Sequence, residues 1–154
     1  WDDSVDSFAA QLVLTDQLAR NIFRGQPEAF AYESVSIDLS HRLAMQTLGK
    51  PDLPGELYPP YLSFTVVALM HSESADDHEH CIKLLEHAKA TSSAESLTGY
   101  WDYQMEFELD HKRIIDQFGR YPHRNKLKGR ETTALEQTWL DDTENLPGWA
   151  KSQT

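Results

Sequence analysis

From Val5 to Phe118 the apolar residues of this chain recur every three or four positions and seldom alternate one by one. That spacing is the period of an α-helix and not of a half-buried strand, so it restricts the chain to the all-α fold class. Gly and Pro punctuate the periodic runs and divide them into about six helices. The first is expected from about Ser4 to Phe23, behind Asp2 and Asp3, which suit a helix start. Val5, Phe8, Ala9, Leu12, Ala19 and Phe23 form its stripe. Gly25 can end it, and Pro27 can open the next turn. A second helix runs from about Ser34 to Leu48 and stops at Gly49 and Pro51, within the loop "GKPDLPGEL".

"LYPPYLSFTVVALM" is apolar nearly all round. It reads as a buried central helix, with a buried strand left open by its Val, Thr and Phe content. A further helix covers about Asp76 to Lys89, with Cys81, Leu84, Leu85 and Ala88 inward, and "ATSSAES" breaks it. The next covers about Thr98 to Phe118, with Tyr100, Tyr103, Phe107, Ile114 and Phe118 along one side. Thr133 and Glu136 have capping-box spacing for a short helix through Leu140. The pattern is one of antiparallel helix pairs.

A chain of 154 residues is long enough for one real core. Residues 1–140 are read as a single domain, and 141–154 as an acidic tail that docks loosely or frays. The chain begins with Trp1, not Met, and shows no signal-peptide pattern, so it is expected to be a fragment or a processed chain. The 25 acidic residues against 14 basic ones give a net charge of −11, which argues against nucleic acid and anionic membrane as partners. No apolar run approaches the ~18 residues of a membrane span. The single cysteine, Cys81, excludes an internal disulfide and fits a reducing, intracellular setting such as the cytoplasm.

The informative residues are those whose type disagrees with their position. Asp16 falls near the middle of the first helix's stripe and Arg20 along its edge. Buried charges need partners, so an Asp16–Arg20 pair at i, i+4 is expected. His111 sits between Phe107 and Ile114 on an inward face, as a hydrogen-bonded core residue or a ligand contact. His71 follows the most apolar helix, with Ser72 and Glu73 directly after it. It either caps carbonyls there or lines the mouth of a cavity, where Glu73 could orient it as a general acid or base. "SADDHEHCIKLLEH" suggests metal, but no pair has the His-x-x-x-His spacing. No metal site is expected there, only a solvated helix start.

The stretch "FGRYPHRNKLKGRE" packs five cations around Gly119, Pro122 and Gly129. Arg120, Arg124 and Arg130 carry planar forks suited to carboxylate or phosphate. They can meet Asp16 and Glu73, a bound small anion, or both. His123 is close enough in sequence to carry a proton at such a site. The spacing is not that of a phosphate-cradling loop.

"DQLARNIFRG" (Asp16 to Gly25), "MHSE" (Met70 to Glu73) and "HKRIIDQFGRYPHRN" (His111 to Asn125), continued by "GRET", resemble in order and spacing the family catalogued as domain of unknown function 924. The resemblance spans about Phe8 to Leu140. It implies an all-α fold likened to tetratricopeptide repeats, a right-handed array of helix pairs, with Trp-Phe-rich N-terminal helices that this chain lacks. Among the residues matching the motifs are Asp16, Gln17, Arg20, Asn21, Arg24, His71, Glu73, Arg120, His123, Arg124 and Arg130. This chain departs from the motifs at Leu18-Ala19 (commonly Phe-Pro), Ala68-Leu69 (Pro-Phe), Ser74 (often acidic) and His78 (often Gln). The family has no settled activity to carry over.

Two functional readings follow. In the first, Arg20, Arg24, Arg120, Arg124, Arg130 and His111 line a pocket for a small anionic or polar molecule. His71, oriented by Glu73 or Asp16, moves a proton with His123 as counterpart, and no cofactor is needed. In the second, the chain is a scaffold for a peptide or protein partner, and the charged cluster is a clasp between helix pairs. The oligomeric state is left open by the sequence.

Overall fold

The first expected helix forms, but not as one continuous α-helix. In the computed structural model, which describes residues 4–47, 58–92 and 95–151, α1 (Val5–Leu12) begins at Ser4, whose hydroxyl accepts from the Ser7 amide at 3.2 Å. It passes into a π-helical segment, Val13–Leu18, and resumes as α2 (Ala19–Ile22). The Thr15 hydroxyl donates to the Gln11 carbonyl at 2.8 Å, and the Asn21 side chain donates to the Gln17 carbonyl at 2.7 Å. Side chains that compete for ladder carbonyls loosen α geometry, and such segments are frequent at functional sites. Asp16 lies inside this segment and is 1% exposed.

A 3₁₀ turn (Pro27–Phe30) follows, then α3 (Glu33–Thr47), α4 (Tyr58–Met70), α5 (Ala75–Thr91) and α6 (Glu95–Phe118). A second 3₁₀ turn (Pro122–Arg124), α7 (Ala134–Asp141) and α8 (Gly148–Lys151) complete the chain. No strand occurs among the described residues, so the run left open between helix and strand is the helix α4. Asp2, Asp3, Gly49, Pro51 and the rest of the "GKPDLPGEL" loop lie outside the described residues, as does Trp1.

Helices pack on their neighbours in chain order: α1 on α3, α3 on α4, α4 on α5 and α5 on α6. α4 also touches α1 and α6, which makes it the central element and explains its apolar circumference. Leu62, Val66 and Leu69 of α4 meet Cys81, Leu84 and Leu85 of α5 and Trp101 of α6 in the largest core cluster. Phe8 and Leu12 meet Leu39 and Leu43 in a second. Each fully buried Leu here contributes ~1.5–3 kcal/mol. Among the described residues no helix is long and apolar enough to cross a membrane.

Two expectations are corrected. Tyr103 and Phe107 are 59% and 36% exposed, and Trp101, Gln104, Glu108 and Ile115 join the expected His111 and Ile114 on the buried face of α6. Polar residues hold core positions because they are paired: Gln104 donates to the Tyr100 hydroxyl at 3.0 Å, and Glu108 lies 2.7 Å from His78 Nδ1. Between Asp142 and Lys151 the chain packs down instead of docking loosely or fraying. Leu146 and Ala150 are buried, and Trp149 stacks on His111 with ring centroids 4.0 Å apart.

Candidate functional site

Gly119 ends α6 at φ 67° and Gly129 turns the chain again at φ 64°, a region that side chains rarely tolerate. The loop between them folds back over the junction of α2, α3 and α4. Two carboxylates meet it: Glu33, in the first turn of α3, and Glu73, just beyond α4. Arg124 is 2% exposed. Its Nη1 donates to Glu33 Oε1 at 3.0 Å and to the His71 carbonyl at 2.7 Å. The Tyr121 and Phe30 rings flank its guanidinium at 4.3 and 5.3 Å. Burial brings the Arg124 pKa down to about 10, so it remains a cation at neutral pH.

Arg130 grips Glu73 with two parallel bonds, 2.6 and 3.0 Å. The Tyr121 amide donates to the same carboxylate at 2.9 Å, and Lys128 bridges Glu33 and Glu73. Burial works to raise the Glu73 pKa, but the bonds from Arg130 and the Tyr121 amide outweigh it and hold it at about 2. This is a closed ionic clasp.

One turn away the same residue types are arranged differently. Asp16 Oδ1 accepts from Arg20 Nε at 2.8 Å and Oδ2 from Gln17 at 2.6 Å. His71 Nδ1 sits 2.9 and 3.0 Å from the two carboxylate oxygens. Burial opposes ionisation of Asp16, but His71, charged in the acid range where Asp16 titrates, and the Arg20 guanidinium hold its carboxyl well below the usual range through charge and hydrogen bonds. The acceptor is therefore a carboxylate, and His71 Nδ1 carries the donated proton. Burial lowers the His71 pKa; Asp16 pushes it back up, and the Arg20 and Arg124 guanidiniums add to the lowering. The net direction is down, so His71 is neutral at pH 7 and its lone pair is on Nε2.

His71 borders a cavity of about 200 Å³ together with Gln17, Arg20, Asn21, Arg24 and Phe30. Arg20 reaches it with a side chain only 10% exposed. Its Nη2 approaches Glu33 at 3.5 Å, while its Nη1 is buried without an acceptor among the described residues. Arg24 is exposed at the rim and donates to Asn21 at 2.9 Å.

Asp16, Arg20, Arg24 and His71 thus come together; Arg124 meets them at the His71 carbonyl and at Glu33, which Arg20 also approaches, and the other expected site residues lie apart. Glu73 is taken up by Arg130 and is not the residue that orients His71; Asp16 is. Arg120 turns to α7, donating to Glu136 at 2.6 and 2.9 Å and so bracing the capping box at Thr133. His111 donates from Nδ1 to the Phe107 carbonyl at 2.7 Å, and burial lowers its pKa to about 3. His123 packs against Tyr121 and Trp149 and lines a different cavity.

Sequence reasoning missed Glu33, Lys128, Gln17's bond to Asp16, and His78. His78 was expected in a solvated helix start, but it is fully buried between Glu108 and the Ser72 carbonyl. Asp77 of the same start accepts from Ser72 and pairs with His41, whose ring stacks on His80. Among the described residues no three His, Cys, Asp or Glu side chains are placed to hold a metal ion.

The profile of a family described as "Bacterial protein of unknown function (DUF924)" matches residues 1–144. A solved structure of a protein of unknown function from Agrobacterium tumefaciens, ATU0120, is similar to this chain with a TM-score of 0.68 and 23% identity. The alignment covers 90% of this chain and 69% of that one, and at this identity it shows a shared fold. No curated protein matches the chain.

Proposed function

Since the chain belongs to the DUF924 family of bacterial proteins, which supplies a fold but no reaction, we propose a function from the geometry alone: binding of a small anionic metabolite at the Asp16–His71 corner, with acid–base chemistry on it that needs no cofactor. The observation that carries this reading is Arg20. Its Nη1 is a buried cationic donor with no protein acceptor among the described residues, and its side chain lines a cavity. A buried donor left unmatched costs ~1–3 kcal/mol, and more when charged. A carboxylate or phosphate oxygen in the cavity would meet that need, and the exposed Arg24 at the rim adds a second guanidinium for the same anion.

His71 supplies the chemistry. Its neutral imidazole presents Nε2 as a base while Asp16 holds the Nδ1 proton and so selects the tautomer. When Nε2 takes a proton from a water or from carbon next to the bound anion, Asp16 stabilises the imidazolium. The proton returns to product in the second half of the reaction. Hydrolysis, elimination and isomerisation are all within reach of such a dyad. Glu73 and His123 have no part in it.

The test is thermal stabilisation by a panel of small carboxylates and phosphomonoesters. A ligand at 100 times its Kd should stabilise the native protein by about 2.7 kcal/mol. Arg20→Gln should abolish that stabilisation, whereas His71→Gln should keep binding and lose turnover. Undiminished stabilisation of Arg20→Gln would overturn the proposal.

A further inference from the structure

The cavity beside His71 is small. At about 200 Å³ it falls below the ~300–1,000 Å³ of ordinary ligand pockets, so it holds little more than the charged end of a metabolite. It does not stand alone. Gly25 and Leu127 line it and also line a second cavity of about 720 Å³, which lies between the 120–132 loop, α7 and the approach to α8. A side-chain carbon built on Gly25 would meet nothing within 4 Å, so the backbone at this shared wall faces open space.

The two compartments differ in chemistry. The first offers the Arg20 and Arg24 guanidiniums and the His71 imidazole. The second has Pro122, Leu127, Leu140 and Leu146 as an apolar wall; Lys126, Asp141 and Lys151 also line it, all three exposed to solvent, and no arginine is among its described lining residues. A ligand that used the guanidiniums of the first and the apolar wall of the second would carry its charge at one end.

We infer that the ligand of the Asp16–His71 corner is an amphipathic monocarboxylate, with its carboxylate on Arg20 and Arg24 and an alkyl body running past Gly25 and Leu127 into the second cavity. The inference rests on the reading of the corner as an anion site and narrows its substrate class. It also gives the remote part of the substrate a purpose: contacts away from the reacting centre position the head group against His71.

The experiment is calorimetric titration of the full 154-residue chain with straight-chain carboxylates from acetate to decanoate. Affinity should rise roughly fourfold per methylene once the chain enters the second cavity. Leu146→Trp, inside the second cavity and outside the first, should leave acetate binding unchanged and remove the gain with length. Leu140→Gln, inside the second cavity, should reduce the same gain and serves if the Trp variant does not fold. Arg20→Gln should weaken every member by a common factor. A flat series with Arg20-dependent acetate binding would overturn the inference and leave the anion site standing. A rising series indifferent to both Leu146→Trp and Leu140→Gln would place the alkyl chain elsewhere and overturn it too. Failure of every carboxylate to bind would remove the anion site and the inference together.

Discussion

The clasp and the corner are built from the same side chains within a few ångströms of each other, yet they close to different degrees. In the clasp, Glu73 accepts from Arg130, Lys128 and the Tyr121 amide, and Glu33 accepts from Arg124 and Lys128. In the corner, Asp16 is matched by Arg20, Gln17 and His71, but the arginine that serves it lines a cavity. Arg124 and Arg130 each also carry a buried Nε without an acceptor. Neither lines either of the two cavities, however, and Arg124 is shielded by two rings. Residue type therefore does not separate structural from ligand-facing charge. What separates them is whether the side chain that carries the unmatched donor lines a cavity.

If that contrast is right, the largest effect belongs to the clasp. Arg124→Ala leaves Glu33 and the His71 carbonyl short of a donor in a buried setting and should cost about 3–5 kcal/mol in urea unfolding. A loss below about 1 kcal/mol would move Arg124 to the corner's side of the comparison.

A smaller effect comes from acid. The Glu73 pKa is about 2 in the folded protein against an ordinary 4.5. For a carboxylate depressed by folding, the stabilisation is complete above 4.5 and is lost as pH falls from there toward 2. With allowance for its partial exposure it amounts to about 1–3 kcal/mol. Glu73→Gln should lose that amount at pH 7 and flatten the stability profile between 4.5 and 2. An unchanged acid limb would break the idea of a clasp centred on Glu73.

The smallest stability effect sharpens the contrast from the other side. Arg24→Ala removes an exposed side chain whose neighbour in the structure is Asn21, and unfolding should shift by no more than about 0.5 kcal/mol. The same substitution should still weaken acetate binding measurably by calorimetry. Loss of stability without loss of binding would make Arg24 part of the scaffold.

Much of the fold was legible because helical periodicity depends on local spacing. The central position of α4 follows from its apolar circumference, and the cap at Thr133 from a fixed four-residue pattern. Asp16 stood out because a carboxylate in an apolar stripe contradicts its surroundings. Glu33 gave no such signal, since an acid in the first turn of a helix is ordinary there. Its importance comes from Arg124, 91 positions away. Glu73 was placed beside His71 by adjacency in the chain, but the turn after α4 points the two side chains at different partners. The buried face of α6 was misplaced for a related reason. Gln104 and Glu108 lie off the expected stripe, and they hold core positions because Tyr100 and His78 match them.

The π-helical segment Val13–Leu18 has a mechanical consequence. An α-helix couples all its side chains in one rigid angular sequence, about 100° per residue, so a change of aim at one end would twist the other out of its packing. A wider turn placed between α1 and α2 interrupts that sequence and gives α2 a heading of its own. Phe8 and Leu12 pack against α3 while Arg20 lines the cavity, and drawing the segment in to ordinary α geometry at the same length would turn Arg20 and Asn21 away by one residue's angle, about 100°.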